Sequence, residues 1–78
     1  MTLNEIVLNK RYYIKKLLST GVLRRRMQDM GLIEGTEIYG KFRAPFGEPV
    51  AYSVRGTLLA LRNEEAKQIE VETVENDG

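Results

Sequence analysis

Three consecutive arginines, Arg24, Arg25 and Arg26, are the side chains best suited to recognising a charged partner, because a guanidinium pairs bidentately with a carboxylate or a phosphate. They lie in a segment whose apolar spacing predicts a helix over residues 23–30. Their place early in that helix, with Asp29 in its last turn, opposes the helix dipole at about 0.3–1 kcal/mol per exposed charge. Three successive helical positions cannot share one face, so one arginine must point away from the other two. We expect a surface role in partner binding.

Cysteine and histidine are both absent from the 78 residues. Their absence excludes disulfides, thiolate nucleophiles, imidazole bases and zinc sites built on Cys and His ligands. Iron or zinc could be held only by carboxylates, carbonyls, amides or methionine sulfur, which bind transition metals poorly. We therefore expect no catalytic residue, no bound cofactor and no tight metal site.

Charge is unevenly distributed along the chain, although the formal net charge is only +1. Residues 1–62 carry a net charge of +6 and residues 63–78 a net charge of −5. The basic part, with interleaved tyrosines, leaves nucleic-acid binding open as an alternative function. The acidic C-terminal stretch would repel phosphates and counts against it. We expect no nucleic-acid partner.

The length of the chain suits one small domain, which we place at residues 1–74, followed by a disordered tail at residues 75–78. No run approaches the ~18 apolar residues of a membrane span, and the N-terminus lacks the layout of a secretion signal. We expect a cytoplasmic protein that is not itself in the membrane.

Alternating apolar and polar residues predict five short strands with one or two short helices. The sets predicted to face inward are Tyr12, Ile14 and Leu18 in the first strand and Ile38, Gly40 and Phe42 in the second. The apolar run at residues 58–61 predicts a strand buried on both faces, and Asn63 is expected to cap a single helical turn. In so short a chain this hairpin-rich order predicts a mainly β fold, a small SH3-like barrel of five strands.

Several residues are expected to shape the backbone rather than to bind a ligand. Gly31 stands where the end of the helix needs a positive φ, and Leu32 then packs back onto Met27. Gly40, in mid-strand, indicates that another segment approaches the backbone closely. The full set of expected structural motif residues is Met27, Gly31, Leu32, Gly35, Pro45, Gly47, Pro49 and Gly56.

A series of short motifs runs in order through the chain. They are Arg26-Met27, Met30-Gly31-Leu32, Ile33-Glu34-Gly35, Ala44-Pro45-Phe46-Gly47-Glu48-Pro49, Arg55-Gly56, Ala60-Leu61-Arg62, Glu65-Ala66 and Ile69-Glu70-Val71. This ordered set resembles the FeoA family of small bacterial cytosolic proteins of the ferrous-iron uptake system. The resemblance extends over almost the whole chain, from Leu3 to Val74. Met27, Phe46 and Glu48 depart from the family's usual Leu, Leu and Asp, and all three changes conserve size or charge.

The resemblance implies an SH3-like barrel that acts as a non-catalytic accessory of the ferrous-iron permease. It implies contact with the cytosolic GTP-binding region of that permease, at the inner face of the membrane. The family is also associated with transition-metal binding, which the missing Cys and His weaken for this chain. The residues expected to bind the partner are Arg24, Arg25, Arg26, Phe46 and Tyr39.

The same module resembles the C-terminal domain of iron-dependent repressors. A relative of that domain would bind a peptide or its own kind, so weak self-association stays open as an alternative.

Overall fold

The computed structural model describes residues 1–74. Its elements are a 3-10 turn at Leu3–Glu5, β1 (Arg11–Leu17), α1 (Gly21–Asp29), β2 (Glu37–Arg43), β3 (Val50–Val54), β4 (Thr57–Leu61), α2 (Asn63–Ala66) and β5 (Ile69–Thr73). The strands form one antiparallel sheet in the order β4-β3-β2-β1-β5. The prediction of a mainly β fold with five strands is therefore confirmed. The tail expected at residues 75–78 lies outside the described residues.

The core is built from the inward-facing side chains of all five strands, with one residue from each of α1 and α2, one from the connection between α1 and β2 and two from the N-terminal segment. Its members are Leu3, Ile6, Tyr12, Ile14, Leu17, Met27, Leu32, Ile38, Val50, Tyr52, Val54, Leu61, Ala66, Ile69 and Val71. The hydroxyl of buried Tyr12 accepts a hydrogen bond from the Val7 N–H at 3.0 Å. Burial raises the pKa of Tyr52, whose hydroxyl lies 3.5 Å from the Leu3 carbonyl. The N-terminal segment thus covers one end of the core.

A bulge in β1 overturns the expectation that Leu18 faces the core. Ile14 pairs with Val71 on β5, but Lys16 pairs with Glu70, so Lys15 is an extra residue in the ladder. One extra residue reverses the inward and outward alternation beyond it. Leu17 is consequently buried, and Leu18 is 43% exposed.

A second bulge, in β2, overturns the expectation that Phe42 faces inward. Gly40 pairs with Tyr52 and Phe42 with Ala51, which makes Lys41 the extra residue. Ile38 before the bulge is fully buried, as predicted, whereas Phe42 after it is 56% exposed. The two incorrect assignments therefore have the same physical cause.

The prediction that residues 58–61 are buried on both faces is wrong. β4 is an edge strand of the sheet, and the structure leaves its outward face uncovered. Leu58 is 54% exposed and Leu61 only 2%. The position of the short helix after β4 also differs by one residue, since its N-cap is Arg62 rather than Asn63.

The end of α1 confirms the predicted role of Gly31, which has a φ of 95°. The Leu32 N–H donates to the Met27 carbonyl at 2.9 Å and the Gly31 N–H to the Gln28 carbonyl at 3.0 Å. These two bonds form a Schellman cap. The apolar spacing behind the predicted helix, with Leu23, Met27 and Met30 on one side, corresponds only in part to buried positions, because Met27 is fully buried but Met30 is 37% exposed. The positive φ angles of Gly35, Gly47 and Gly56 likewise confirm them as turn residues.

We predict that the close contact at Gly40 limits the size of residue this position accepts. A Cβ there would lie 2.9 Å from Leu8 Cδ2 and 3.3 Å from Ile6 Cδ1. Gly40→Val should reduce the free energy of unfolding by about 1–3 kcal/mol through overpacking, whereas Gly40→Ala needs only a small shift of the Leu8 side chain. Urea denaturation measures both. Combining Gly40→Val with Leu8→Ala should recover part of the loss, and a Gly40→Val protein as stable as the parent would contradict the contact.

We also predict that the pKa of the Glu72 carboxyl is lower than that of an ordinary glutamate. Its carboxylate accepts a hydrogen bond from the Tyr13 hydroxyl and lies 2.9 Å from Lys15 Nζ. These two bonds, the tyrosine first, lower the pKa of Glu72 below its ordinary value of 4.5. The stabilisation is present above that ordinary value and is lost as the pH falls through the lowered pKa of the folded state.

Carbon-detected NMR titration of the Glu72 carboxyl checks this assignment. Tyr13→Phe should raise the pKa of Glu72 toward 4.5, and Lys15→Met should raise it by less. Titration of Glu5, whose own pKa is lowered by the backbone and side chain of Thr2, serves as an internal reference that neither variant should move. An unchanged Glu72 in Tyr13→Phe would remove the hydroxyl as the cause.

Candidate partner-binding surface

The solvent-facing side of α1 carries two of the three arginines. Val22, Arg25, Arg26 and Asp29 follow the i, i+3, i+4, i+7 spacing of one helix face. Val22 is 77% exposed, and Arg25 and Arg26 are exposed as well. Within residues 1–74 neither arginine forms an ion pair, although the i, i+4 spacing of Arg25 and Asp29 would permit one. We call Val22, Arg25 and Arg26 the α1 outer face.

Arg24 points away from the other two arginines, as the helix geometry requires. Its side chain is half-buried, and Nη1 donates a hydrogen bond to the Leu17 carbonyl at 3.1 Å. That carbonyl belongs to the last residue of β1. Arg24 therefore ties the start of α1 to the end of β1, which is a structural role.

The opposite side of α1 holds the helix on the barrel. Met27 is fully buried in the core, and Leu23 packs against the core from a half-buried position. The buried Ser19 hydroxyl lies 3.5 Å from Met27 Sδ. With the Schellman cap, these contacts hold the helix in place. The expectation that the arginines oppose the helix dipole is not met, because α1 begins at Gly21 and Arg26 lies in its last turn, so that only Asp29 is unfavourably placed. The α1 outer face is thus presented on a firmly seated helix.

Tyr39, the predicted aromatic contact, lies in a different place. It lines an open cleft of about 540 Å³ between the start of β2 and the β3–β4 hairpin. The cleft residues are Gly35, Thr36, Glu37, Tyr39, Ser53, Arg55 and Gly56. Glu37 there is paired with Arg11 at 3.3 Å, while Arg55 at the hairpin is exposed. None of the three predicted arginines lines this cleft.

Phe46 lies in the loop at residues 44–49 and is 98% exposed. The loop is closed by hydrogen bonds from the Ala44 N–H to the Pro49 carbonyl at 3.0 Å and from the Gly47 N–H to the Ala44 carbonyl at 2.8 Å. The Glu48 carboxylate accepts a bond from the Asn63 N–H at 2.9 Å, which joins the loop to α2. An ordered loop therefore presents the Phe46 ring to solvent.

The predicted binding residues consequently occupy three separate positions. The cleft with Tyr39 lies at the end of β2–β3 where Ile38 pairs with Val54, and Phe46 follows the end where Arg43 pairs with Val50. The α1 outer face is a third location. Of these, only the α1 outer face combines unpaired positive charge with an exposed apolar side chain on a regular element.

The basic body proposed for nucleic-acid binding is partly neutralised. Lys15 contacts both Glu70, at 3.8 Å, and Glu72, and Arg11 contacts Glu37. The two glutamates, chiefly Glu72, raise the pKa of Lys15. The three ion pairs together leave fewer cations free to bind phosphates. Among residues 1–74 no cluster of carboxylates is arranged to hold a metal ion. The expected lack of a cofactor or tight metal site stays a prediction.

Several exposed apolar residues were not identified from the sequence as surface features, and three of them lie on the α1 outer face or on the outward side of the sheet. These three are Val22, Phe42 and Leu58. Val22 could have been found from the helical period, had the helix been started at Gly21 rather than at Leu23. Phe42 and Leu58 carry no such signal, because their exposure follows from a bulge and from the order of strands.

In the described part of the chain, helices are too short or too polar to cross a membrane.

Residues 1–73 match the family model of the FeoA domain. The chain is 32% identical over 78 residues to a Porphyromonas gingivalis protein described as an Fe(2+) transport protein A/Fe(2+) transporter FeoB fusion protein. All of this chain aligns, but it spans only 9% of the length of that fusion protein.

Two solved structures with the same fold are described as iron(II) transport protein A and as FeoA. The solution structure of iron(II) transport protein A from Clostridium thermocellum superimposes with a TM-score of 0.91 and 35% identity, over 95% of this chain and 46% of that one. A crystal structure of FeoA from Stenotrophomonas maltophilia, complexed with zinc and described as a prokaryotic SH3 domain protein, gives a TM-score of 0.82 and 30% identity, over 92% and 89% of the two chains. The predicted SH3-like fold is confirmed. Since the family model matches residues 1–73 of the 78 in this chain, the chain belongs to the FeoA family.

Proposed function

We propose that this domain is a non-catalytic accessory of bacterial ferrous-iron uptake that docks on the cytosolic GTP-binding region of the ferrous-iron permease. The observation that carries the proposal is the Porphyromonas gingivalis relative, whose description joins an Fe(2+) transport protein A to an Fe(2+) transporter FeoB in one chain. Fusion holds two modules at high effective concentration, which favours modules that act on each other. The Stenotrophomonas maltophilia relative is itself described as a candidate ferrous iron transport activating factor.

The α1 outer face is the docking surface we infer. Arg25 and Arg26 are exposed and form no ion pair within the described chain, and Val22 adds an apolar contact on the same side of the helix. Arginine is enriched at interfaces because its guanidinium pairs with carboxylates in a defined geometry. The matching surface on the GTP-binding region should therefore be acidic. Arg25 and Arg26 are therefore available to a partner, because neither is used to stabilise the chain through an ion pair.

The accessory role requires binding alone. With no histidine or cysteine in the chain, the side chains that could act as a base or nucleophile at neutral pH are few. The domain would influence transport by changing the population of permease conformations to which it binds. Its place is then the cytoplasm, at the inner face of the membrane through its partner.

We predict that charge reversal on the α1 outer face weakens docking. Arg25→Glu combined with Arg26→Glu should raise the Kd for the isolated GTP-binding region by about tenfold or more, with the larger change in the association rate at low salt. Biolayer interferometry at two salt concentrations, with GDP and with a GTP analogue, measures it. Lys41→Glu combined with Lys67→Glu is the matched control, because it changes net charge equally at exposed residues elsewhere.

Each outcome of that comparison has a clear meaning. Loss in the arginine pair alone supports the α1 outer face. Equal losses in both double variants would show that net charge alone governs binding, and full affinity in both would reject the surface. Phe46→Ser tests the second exposed contact separately, and Tyr39→Ser the cleft.

We predict that substitution of Arg24, unlike that of Arg25 and Arg26, lowers the stability of the domain without weakening docking. Arg24→Met removes the hydrogen bond to the Leu17 carbonyl and should lower the free energy of unfolding by about 1 kcal/mol, while leaving the Kd unchanged. Urea denaturation and the binding assay are both needed. A variant with parental stability but weakened docking would reassign Arg24 to the interface.

A further inference from the structure

The free edge of β4 is unprotected in a way that natural sheets usually avoid. β4 is the end strand of the sheet, and its five residues include no charge, no proline and no glycine. Natural edge strands are commonly blunted by charges, prolines, bulges or a covering segment. The opposite edge of this same sheet follows that rule, since β5 contains Glu70 and Glu72 and is partly covered by the Val71 N–H bond to the Met1 carbonyl at 2.9 Å.

The hairpin that precedes β4 determines which backbone groups are free. Arg55 and Gly56, with φ angles of 52° and 79°, form a two-residue turn in which Thr57 pairs with Val54. Because hydrogen bonding alternates along an antiparallel strand, Thr57, Leu59 and Leu61 bond toward β3. The N–H and C=O groups of Leu58 and Ala60 then point to the open side, where the described residues of this chain offer no backbone partner.

The side chains along this edge are also uncovered. Leu58 is 54% exposed and Ala60 is exposed, both on the outward face of the sheet. Leu59, on the inward face, is only partly buried against the core. An apolar strand with free donors and acceptors is a template for another strand.

We propose that the β4 edge pairs with the β4 edge of a second copy of this chain, antiparallel and about a two-fold axis at Leu59. In that register Leu58 of each copy lies opposite Ala60 of the other, and these are the residues whose backbone groups are free. The pairing residues therefore exchange hydrogen bonds in both directions, and apolar side chains face apolar side chains on both faces of the joined sheet. A second copy satisfies the edge without any unmatched group.

Charge at the two ends of β4 favours the same partner. Arg55, at the hairpin before β4, and Glu64, in the first turn of α2 after it, are both exposed and form no ion pair in the described chain. Antiparallel pairing about Leu59 brings Arg55 of one copy to the end of the interface where Glu64 of the other copy lies, and the two-fold axis repeats the pair. A parallel arrangement would place like charges together. Arg62, also exposed, falls beside Arg55 of the other copy in this register, so the favourable charge contact is the Arg55–Glu64 pair alone. Self-pairing is thus complementary chiefly in hydrogen bonds and apolar contacts.

Sedimentation velocity across protein concentrations up to about 1 mM tests the proposal, since a short two-strand interface should give a weak dimer. The sedimentation coefficient should rise with concentration toward that of a dimer. Amide hydrogen exchange at Leu58 and Ala60 should slow over the same range, while exchange at Leu59, already bonded to β3, should not change. Leu58→Lys, an exposed substitution, should keep the chain monomeric.

A charge exchange tests the register itself. Arg55→Asp and Glu64→Lys should each weaken dimerisation about tenfold, because each places like charges together twice per dimer. The double variant should recover most of the parental affinity. A sedimentation coefficient that stays at the monomer value up to the highest concentration, or a dimer that Leu58→Lys leaves intact, would overturn the proposal. Circular dichroism of each variant confirms that it is folded.

Docking on the permease and self-pairing involve different residues, so the two proposals can fail separately. Arg25→Glu with Arg26→Glu should leave dimerisation unchanged, and Leu58→Lys should leave the surface of α1 intact.

Discussion

The two bulges, at Lys15 in β1 and at Lys41 in β2, are the constraint on which the rest of the structure depends. A chain this short must enclose its core with strands of five to seven residues, so the sheet has to bend sharply within each strand. A bulge provides that bend by adding one residue and increasing the local twist. Gly40, whose missing side chain leaves room for Leu8 and Ile6, assists the bend in β2.

The same bulges also decide what faces solvent. Beyond Lys15 the alternation reverses, which buries Leu17 and leaves Leu18 at the surface next to α1. Beyond Lys41 the reversal brings Phe42 outward, on the same side of the sheet as Leu58. Folding and surface chemistry are therefore coupled, because the residue that closes the barrel also sets the face shown to partners.

Much of this fold could be predicted from the sequence, because its strong signals are local. The helix cap at Gly31 and Leu32 and the turn at Gly56 each depend on neighbouring residues, and both were predicted correctly. Apart from shifts of one or two residues at helix ends, the errors concern properties that depend on distant partners. A bulge is defined by the pairing of two strands, so the sequence of one strand does not reveal it. The exposure of β4 follows from its place at the edge of the sheet.

The candidate site could be predicted only in part, for the same reason. The sequence identifies Arg24, Arg25 and Arg26 as unusual, and helix geometry requires that they diverge. Which one turns inward depends on where α1 is seated, which is decided by Met27 in the core and by the Leu17 carbonyl within reach of Arg24. The sequence alone offers no means of grouping Tyr39 and Phe46, and the structure places them at opposite ends of the β2–β3 pair.

The docking surface proposed on α1 is small, and a small surface can serve a specific function if the module is kept near its partner. The Porphyromonas gingivalis relative is described as a fusion of both proteins in one chain, and two modules joined in one chain can rely on a weak contact because their effective concentration is high. The proposed pairing through β4 would have a similar effect, since it presents two copies of α1 on one body. Two weak contacts then act as one stronger contact, provided that their spacing matches two sites on the permease assembly. The β4 edge and the α1 outer face would then act together, because pairing through the first doubles the number of contacts that the second can make.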